Sequence, residues 1–309
     1  MKELHPKEMI LAIEGGGTKN RILLAGTDGR VLASETGGPA SGLYIDRATY
    51  SRATRLLLRR VKRLADKAGG HVTIAGLAGP MDRQLVERIV TTVFGPITFV
   101  GLGESEIALA LYALPWGVSL VAGTGSSCRA LNERGASASC GGFGPQFGDD
   151  GSGYWIGRSA VSAVMLAHDG RGPATGLDGR LCAYYGIERV WDIFQFVDHS
   201  GHVSGPKVAG FTPHVFQAAR EGDAVARAIC RAAGTKLARL AIATAGKLEW
   251  RKQPVPLVLT GGVFHGGNLI MTPLKRTLRQ SPVLFDLFAP APDPSEGILK
   301  HILMNRTKP

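Results

Sequence analysis

The chain has 309 residues, is 44% hydrophobic, and carries a formal net charge of +11, which suits an ordinary globular protein with room for two domain-sized cores. Its apolar runs, such as PLVLTGGVF (256–264), fall far short of the ~20 residues a membrane span needs, and four scattered cysteines without a C-x-x-C exclude a zinc or disulfide framework. The basic surplus comes with no nucleic-acid reading motif and no run of stacking aromatics, so it reads as a solvated face that attracts anions.

Residues 9–34, MILAIEGGGTKNRILLAGTDGRVLAS, alternate apolar runs with glycine-bearing turns and read as three short antiparallel strands. A helix is expected within 46–68, where Leu57, Val61, Leu64 and Ala68 recur at helical spacing. Strand VTIAGLAG (72–79), helix 82–94, strand ITFVG (97–101) and helix ESEIALALYA (104–113) follow. After LPWG (114–117) the pattern restarts. Residues 118–142 again read as three strands, followed by a helix near 152–168 and an irregular, helical stretch to about 222. Next come a long helix at about 223–247, strand PLVLTGG, a helix, strand VLFDLF (283–288), and a last helix near 295–305. Both halves therefore read βββαβαβα, the second with an insertion of roughly 50 residues. The expectation is an α/β protein of two duplicated lobes, 1–115 and 116–309, with a ligand cleft between them and the last helix packing back on the first lobe.

The N-terminal stretch MKELHPKEMILAIEGG lacks a signal-peptide apolar region, so a reduced cytoplasm is expected. The chemistry concentrates in glycine turns. AIEGGGTKNRILLAG (12–26) exposes backbone N–H groups between two strands, and such a concavity binds phosphate oxygens. A Walker loop is absent from the sequence, and a dinucleotide fingerprint would open a helix rather than the strand expected here. The alternative is a tight turn with no ligand. LVAGTGSSCRAL (120–131) occupies the equivalent place in the second half, so a polyphosphate gripped from both halves is the stronger reading. A Ser or Cys nucleophile lacks the G-x-S-x-G elbow and a neighbouring His. LTGGVFHGGN (259–268) is a third glycine turn, where Gly261 and Gly262 would let adenine or ribose lie on the backbone.

FGPQFGDDGSGYWIG (143–157) places Asp149 and Asp150 among glycines just before a helix. These carboxylates can accept hydrogen bonds from substrate hydroxyls or bind magnesium through water, and Asp150 or Ser152 can also cap the helix. Glu14 ends the first strand, where its carboxylate could hold magnesium. Glu104 begins a helix after a strand, placed to act as general base, although acids are favoured there by the helix dipole in any case. Glu106 reads as a solvated acid, and Tyr154 and Trp155 as core aromatics, with sugar stacking as their alternative. His199 and His202, in HSGH, lack further ligands for a metal.

These motifs, IEGGGTKNRILL, VAGTGSSCRALN, SCGGFGPQFGDDGSGYWIGRSAV and LTGGVF, resemble the actin-like, sugar-kinase and heat-shock ATPase superfamily. Within it the chain is similar to the BadF/BadG/BcrA/BcrD-type ATPases, and most closely to N-acetylglucosamine kinases, over nearly its whole length. The resemblance implies two ribonuclease-H-like lobes closing on ATP, Mg2+ and a sugar. It implies phosphate contacts at Gly15, Gly16, Gly17, Thr18 and Lys19 and at Gly123, Thr124, Gly125 and Ser126, with adenosine at Gly261 and Gly262. The sugar would meet Asp149, Asp150, Gly142 and Ser41, the base would be Glu104, and the metal would sit by Glu14. The chain departs from the family at two places. Family members normally carry Asp where Glu104 stands, one methylene shorter, and a shift near 1 Å can cost ~10²-fold in rate. The family's sugar-binding Asn is replaced within GGPASGLYID (37–46).

The implied activity is ATP-dependent phosphorylation of an amino sugar or related carbohydrate. Two alternatives are an ATP-driven switch acting on a partner enzyme, and a sugar or nucleotide sensor without catalysis. A small-molecule sugar is the expected partner, neither nucleic acid nor membrane is, and a homodimer is an allowed state.

Overall fold

The computed structural model describes residues 7–15, 20–38, 46–79, 81–196, 205–288 and 294–306. The chain divides into two units, Met1–Pro115 with Ala291–Pro309, and Trp116–Pro290.

The first unit is built from β1 (Lys7–Gly15), β2 (Asn20–Gly26), β3 (Val31–Gly37), α1 (Arg47–Lys67), β4 (Gly70–Ala78), α2 (Arg83–Phe94), β5 (Thr98–Leu102), α3 (Glu104–Leu111) and the final helix α11 (Pro294–Arg306). The strands form one sheet in the order β3-β2-β1-β4-β5. The β1–β2 and β2–β3 pairs are antiparallel, while β4 and β5 add in parallel. Strand alternation explains how both faces are covered. Met9, Leu11 and Ile13 of β1 pack with Leu57, Leu58 and Val61 of α1 and with Val86, Ile89 and Val90 of α2. Ile10 and Ala12 face the other way, onto Ile107 of α3 and Ile298, Leu299 and Ile302 of α11.

The buried stripe of α1 differs from the sequence expectation. Tyr50, Thr54, Leu57, Leu58, Val61 and Ala65 are buried, whereas Leu64 is 39% exposed and Ala68 is the C-cap. A window three or four residues wide fits two adjacent stripes equally well, and the sheet chose the one carrying Leu58 and Ala65. Asp46 caps this helix by accepting the N–H groups of Ala48 and Thr49 at 3.0 Å.

The second unit runs β6 (Gly117–Ala122), β7 (Ser126–Leu131), β8 (Ser137–Gly141), α4 (Gly144–Phe147), α5 (Gly153–His168), α6 (Leu177–Tyr185), a 3-10 turn (Val190–Phe196), α7 (Gly205–Ala209), α8 (Thr212–Arg220), α9 (Ala224–Ala245), β9 (Val255–Thr260), a second 3-10 turn (Gly262–Gly266), α10 (Asn268–Leu278) and β10 (Phe285–Leu287). Its sheet order is β10-β9-β6-β7-β8, the same topology read from the opposite edge. The insertion between α5 and α9 supplies α6, α7, α8 and their aromatic contacts, including Tyr184 edge-on to Tyr185 with ring centres 5.0 Å apart.

One detail repeats in both units. Gly79, just after β4, has φ +89°, and a Cβ there would collide with the Gly15 carbonyl at the end of β1. Gly261, just after β9, has φ +107°, and its Cβ would collide with the Ala122 carbonyl at the end of β6. Each strand adjoining the first of its sheet ends with the two backbones in contact, which only glycine permits.

Candidate active site

The second glycine turn is the best-defined part of the site. Gly123, Thr124 and Gly125 link β6 to β7, and the Gly123 N–H closes the turn on the Gly125 carbonyl at 2.9 Å. Helix α5 docks onto its back. Gly153 and Tyr154 donate their N–H groups to the carbonyls of Gly123 (2.8 Å) and Thr124 (3.1 Å). First-turn donors of a helix have no partner within it, so the turn satisfies them and in return sits in the positive field of the helix N-terminus. Ser152 caps α5, its Oγ accepting the Trp155 N–H at 3.1 Å, so the cap is Ser152 rather than Asp150.

Asp149 locks this arrangement. It lies in the left-handed region at φ +56°, a conformation Asp tolerates better than most residues, and it is only 8% exposed. Its Oδ1 accepts the Ser126 N–H at 3.1 Å, and its carbonyl accepts the Ser152 N–H at 3.0 Å. The Ser126 hydroxyl donates to the Asp150 carbonyl at 2.9 Å. Burial pushes the Asp149 carboxyl above its usual range, with the Ser126 bond opposing the shift. Gly125 is glycine for a packing reason, since a Cβ there would press on the Asp149 carboxylate at 2.8 Å.

Both donors of Ser126 are thus held inside the protein. The open donors of the turn are those of Thr124 and Gly125, whose N–H groups have no acceptor among the described residues. Gly123 and Gly262 have nothing within 4 Å of an added Cβ, so a ligand can reach the backbone at both. Gly261 serves the β6–β9 contact instead. Gly142, at φ +73°, donates its N–H to the Ser126 carbonyl at 3.0 Å. Beside it stand Phe143, 71% exposed, and Phe147, 85% exposed, offering apolar faces of the kind a sugar ring can stack on. A hollow of about 230 Å³ is bounded by Phe147, Asp150, Tyr154, Trp155 and Arg158; Trp155 also packs against the core, as expected, whereas Tyr154 belongs to no core cluster.

The structure therefore gathers Gly123, Thr124, Gly125, Ser126, Gly142, Asp149 and Asp150 around one turn. Sequence reading missed Lys236 of α9, whose Nζ lies 3.1 Å from Asp150 Oδ1 and 5.3 Å from the Trp155 ring centre. No local motif marks it. Cys128, in the same strand as Ser126, is fully buried, and burial pushes its thiol up to about 12, which removes it as a nucleophile.

In the first unit Glu14 and Gly15 end β1, with Glu14 opposite Arg21 across the β1–β2 pair. Gly16, Gly17, Thr18, Lys19 and Ser41 lie outside the described residues, as do His199 and His202. Glu104 opens α3, and its side chain is likewise outside the description. Glu106 is exposed, as expected of a solvated acid, but it also makes a bond. Its Oε2 accepts the Gly103 N–H at 2.6 Å, closing the helix start as a capping box does. Among the described residues no three His, Cys, Asp or Glu side chains converge as a metal cage.

Known proteins share both sequence and architecture with this chain. It is 28% identical over 278 residues to the N-acetylmuramic acid/N-acetylglucosamine kinase of Clostridium acetobutylicum, covering 87% of this chain and 90% of that one. It is 28% identical over 308 residues to the N-acetyl-D-glucosamine kinase of Dictyostelium discoideum, covering 94% and 96%. The crystal structure of a candidate N-acetylglucosamine kinase from Chromobacterium violaceum matches with a TM-score of 0.74 and 26% identity over 96% of this chain and 99% of that chain. The model of the BadF/BadG/BcrA/BcrD ATPase family matches residues 11–281, most of the chain. With that match spanning more than half of its length, the chain belongs to the BadF/BadG/BcrA/BcrD ATPase family.

Proposed function

We propose that the chain is an ATP-dependent kinase of an N-acetylated amino sugar. The observation that carries this reading is the Asp149–Ser126 lock, which holds the 123–125 turn with no acceptor for the Thr124 and Gly125 N–H groups among the described residues. Relatives over most of the chain are N-acetylglucosamine kinases.

Two open N–H groups in a helix N-terminal field fit a phosphate group, each hydrogen bond to a charged oxygen contributing roughly 1.5–3 kcal/mol. The space over Gly262 suits an adenosine. Bound ATP supplies the γ-phosphoryl group, and Mg2+ would neutralise it, held by Glu14 and mainly by water and phosphate oxygens, as this ion prefers. In the reading proposed here, Glu104 takes the proton from the attacking sugar hydroxyl. The Asp149 oxygen not used by Ser126 accepts a sugar hydroxyl, and Gly142 leaves the ring room beside Phe143. Gly15 to Lys19 hold phosphate in the first unit, and Ser41 borders the sugar. Among the described residues no helix is long and apolar enough to cross a membrane, and the four free thiols accord with a cytoplasmic setting.

The experiment is ADP release measured across a panel of hexoses and N-acetylhexosamines. Stimulation by N-acetylglucosamine or N-acetylmuramic acid is expected. ATP hydrolysis indifferent to every sugar would end this reading in favour of a switch.

A further inference from the structure

The outer face of α9 holds a feature that the phosphate turn does not account for. Arg231 and Arg239 lie two turns apart on one stripe, Lys236 on the adjoining stripe, and Arg276 reaches in from α10. Together they border a hollow of about 410 Å³, floored by the small side chains of Ala228 and Ala232. Among the described residues no acidic side chain lines it. Among the described residues Arg231, Arg239 and Arg276 have no carboxylate partner, and only Lys236 is paired, with Asp150. Cations gathered this way repel one another, so a dianion entering the hollow removes an unfavourable field as well as forming bonds. Guanidinium groups suit it further, because their forked donors match phosphate oxygens. The volume is in the range of a small-ligand site, and the hollow is open to solvent along the face of α9.

We propose that this hollow is a binding site for a phosphate monoester of hexose-phosphate size, separate from the phosphate turn. Lys236 connects the two. Its ammonium neutralises Asp150, whose carbonyl holds the Ser126 hydroxyl at the turn. An anion in the hollow draws Lys236 away and leaves Asp150 with an unbalanced negative charge beside the turn. That charge lowers affinity for a triphosphate there. The binding claim stands without the kinase reading, whereas this coupling rests on it.

The test is calorimetric titration of the full chain with glucosamine 6-phosphate and with inorganic phosphate, at fixed ionic strength, with and without a saturating non-hydrolysable ATP analogue. The expected result is ester binding that persists beside the analogue and weakens at least about tenfold in Arg231→Ala/Arg239→Ala, as the loss of even one charge-assisted pair requires. Arg276→Ala, on the other helix, gives an independent second variant, and circular dichroism checks that each remains folded. Lys236→Met should weaken ester binding less than the arginine double variant does, because Lys236 must give up Asp150 to reach the anion, and should abolish the effect of the ester on analogue affinity. Ester binding that vanishes when the analogue is present, or that is equally strong in the arginine variants, assigns the ester to the phosphate turn and overturns the proposal, as does no binding at all. Failure of the analogue to bind would count against the kinase reading while the ester titration still reports on the hollow.

Discussion

The Asp149 carboxylate and the Ser126 backbone N–H, 3.1 Å apart, tie the start of α5 to the turn between β6 and β7. The acid proposed as a sugar ligand is thus also the part that shapes the turn proposed to hold phosphate. Structure and function press on the same side chain, and substitution there separates them.

Asp149→Asn keeps an oxygen to accept the Ser126 N–H but removes a buried charge. Because burial raises the folded-state pKa of Asp149, the carboxyl favours folding when protonated, and that contribution is lost as pH rises through its raised folded value. The substituted amide does not titrate. The variant should match the parent protein in melting temperature in acid, below the ordinary Asp range, and exceed or equal it at pH 7. Its kcat/KM for the sugar should fall about 10- to 100-fold, the loss of a contact to a hydroxyl. Melting curves from pH 3 to 8 beside sugar kinetics check both halves. A variant less stable at neutral pH would show that the carboxylate's charge, not its shape, holds the turn.

Glu104→Gln should lower sugar-dependent turnover by about 10²–10⁴-fold while leaving ATP affinity within a few-fold. Glu104→Asp restores the acid type usual in the family and should recover most of the rate or exceed it. Turnover unchanged in the Gln variant would remove Glu104 from the chemistry.

The adjacent glycines of the third turn should respond in opposite ways. Gly261→Ala places a Cβ against the Ala122 carbonyl at a positive φ and should cost about 1–3 kcal/mol or more of stability. Gly262→Ala points into open space and should leave the melting temperature nearly unchanged while raising KM for ATP. Thermal melts and ATP titrations together decide it. Equal effects of the two variants on ATP binding would dissociate Gly262 from the nucleotide.

Cys128, with its thiol pushed up to about 12, should resist iodoacetamide at pH 8 in the folded protein and react only on denaturation, as read by mass spectrometry of tryptic peptides. Rapid labelling accompanied by loss of activity would reopen it as a reactive group.

The repeat was legible in the sequence because each half announces itself with a glycine turn between apolar runs, and β1–β2 and β6–β7 form as expected from that pattern. Helix ends were legible where a short polar residue precedes an apolar stretch, as Asp46, Asp82 and Ser152 do. What sequence could not supply was the division of labour among chemically similar residues. Gly261 and Gly262 look alike in a string, yet one faces backbone and the other space. Asp149 and Asp150 are neighbours, yet one is buried against Ser126 while the other pairs with Lys236, far along the chain. Such assignments depend on which parts of the fold come together, and local periodicity carries no record of that. Glu106 shows the same limit at short range. Its bond to Gly103 follows the capping-box spacing, but a helix-start acid reads equally well as a surface charge.

The return of α11 to the first sheet governs the order in which the protein can be made. Ile298, Leu299 and Ile302 share with Ile107 of α3 the cover over Ile10, Ala12 and Leu23, so a nascent chain has that face only partly covered until α11 has emerged. Residues 116–290 make up one unit without any later segment of the chain. The unit synthesised second can therefore close first, while the one that begins the chain waits for a helix that starts only at Pro294.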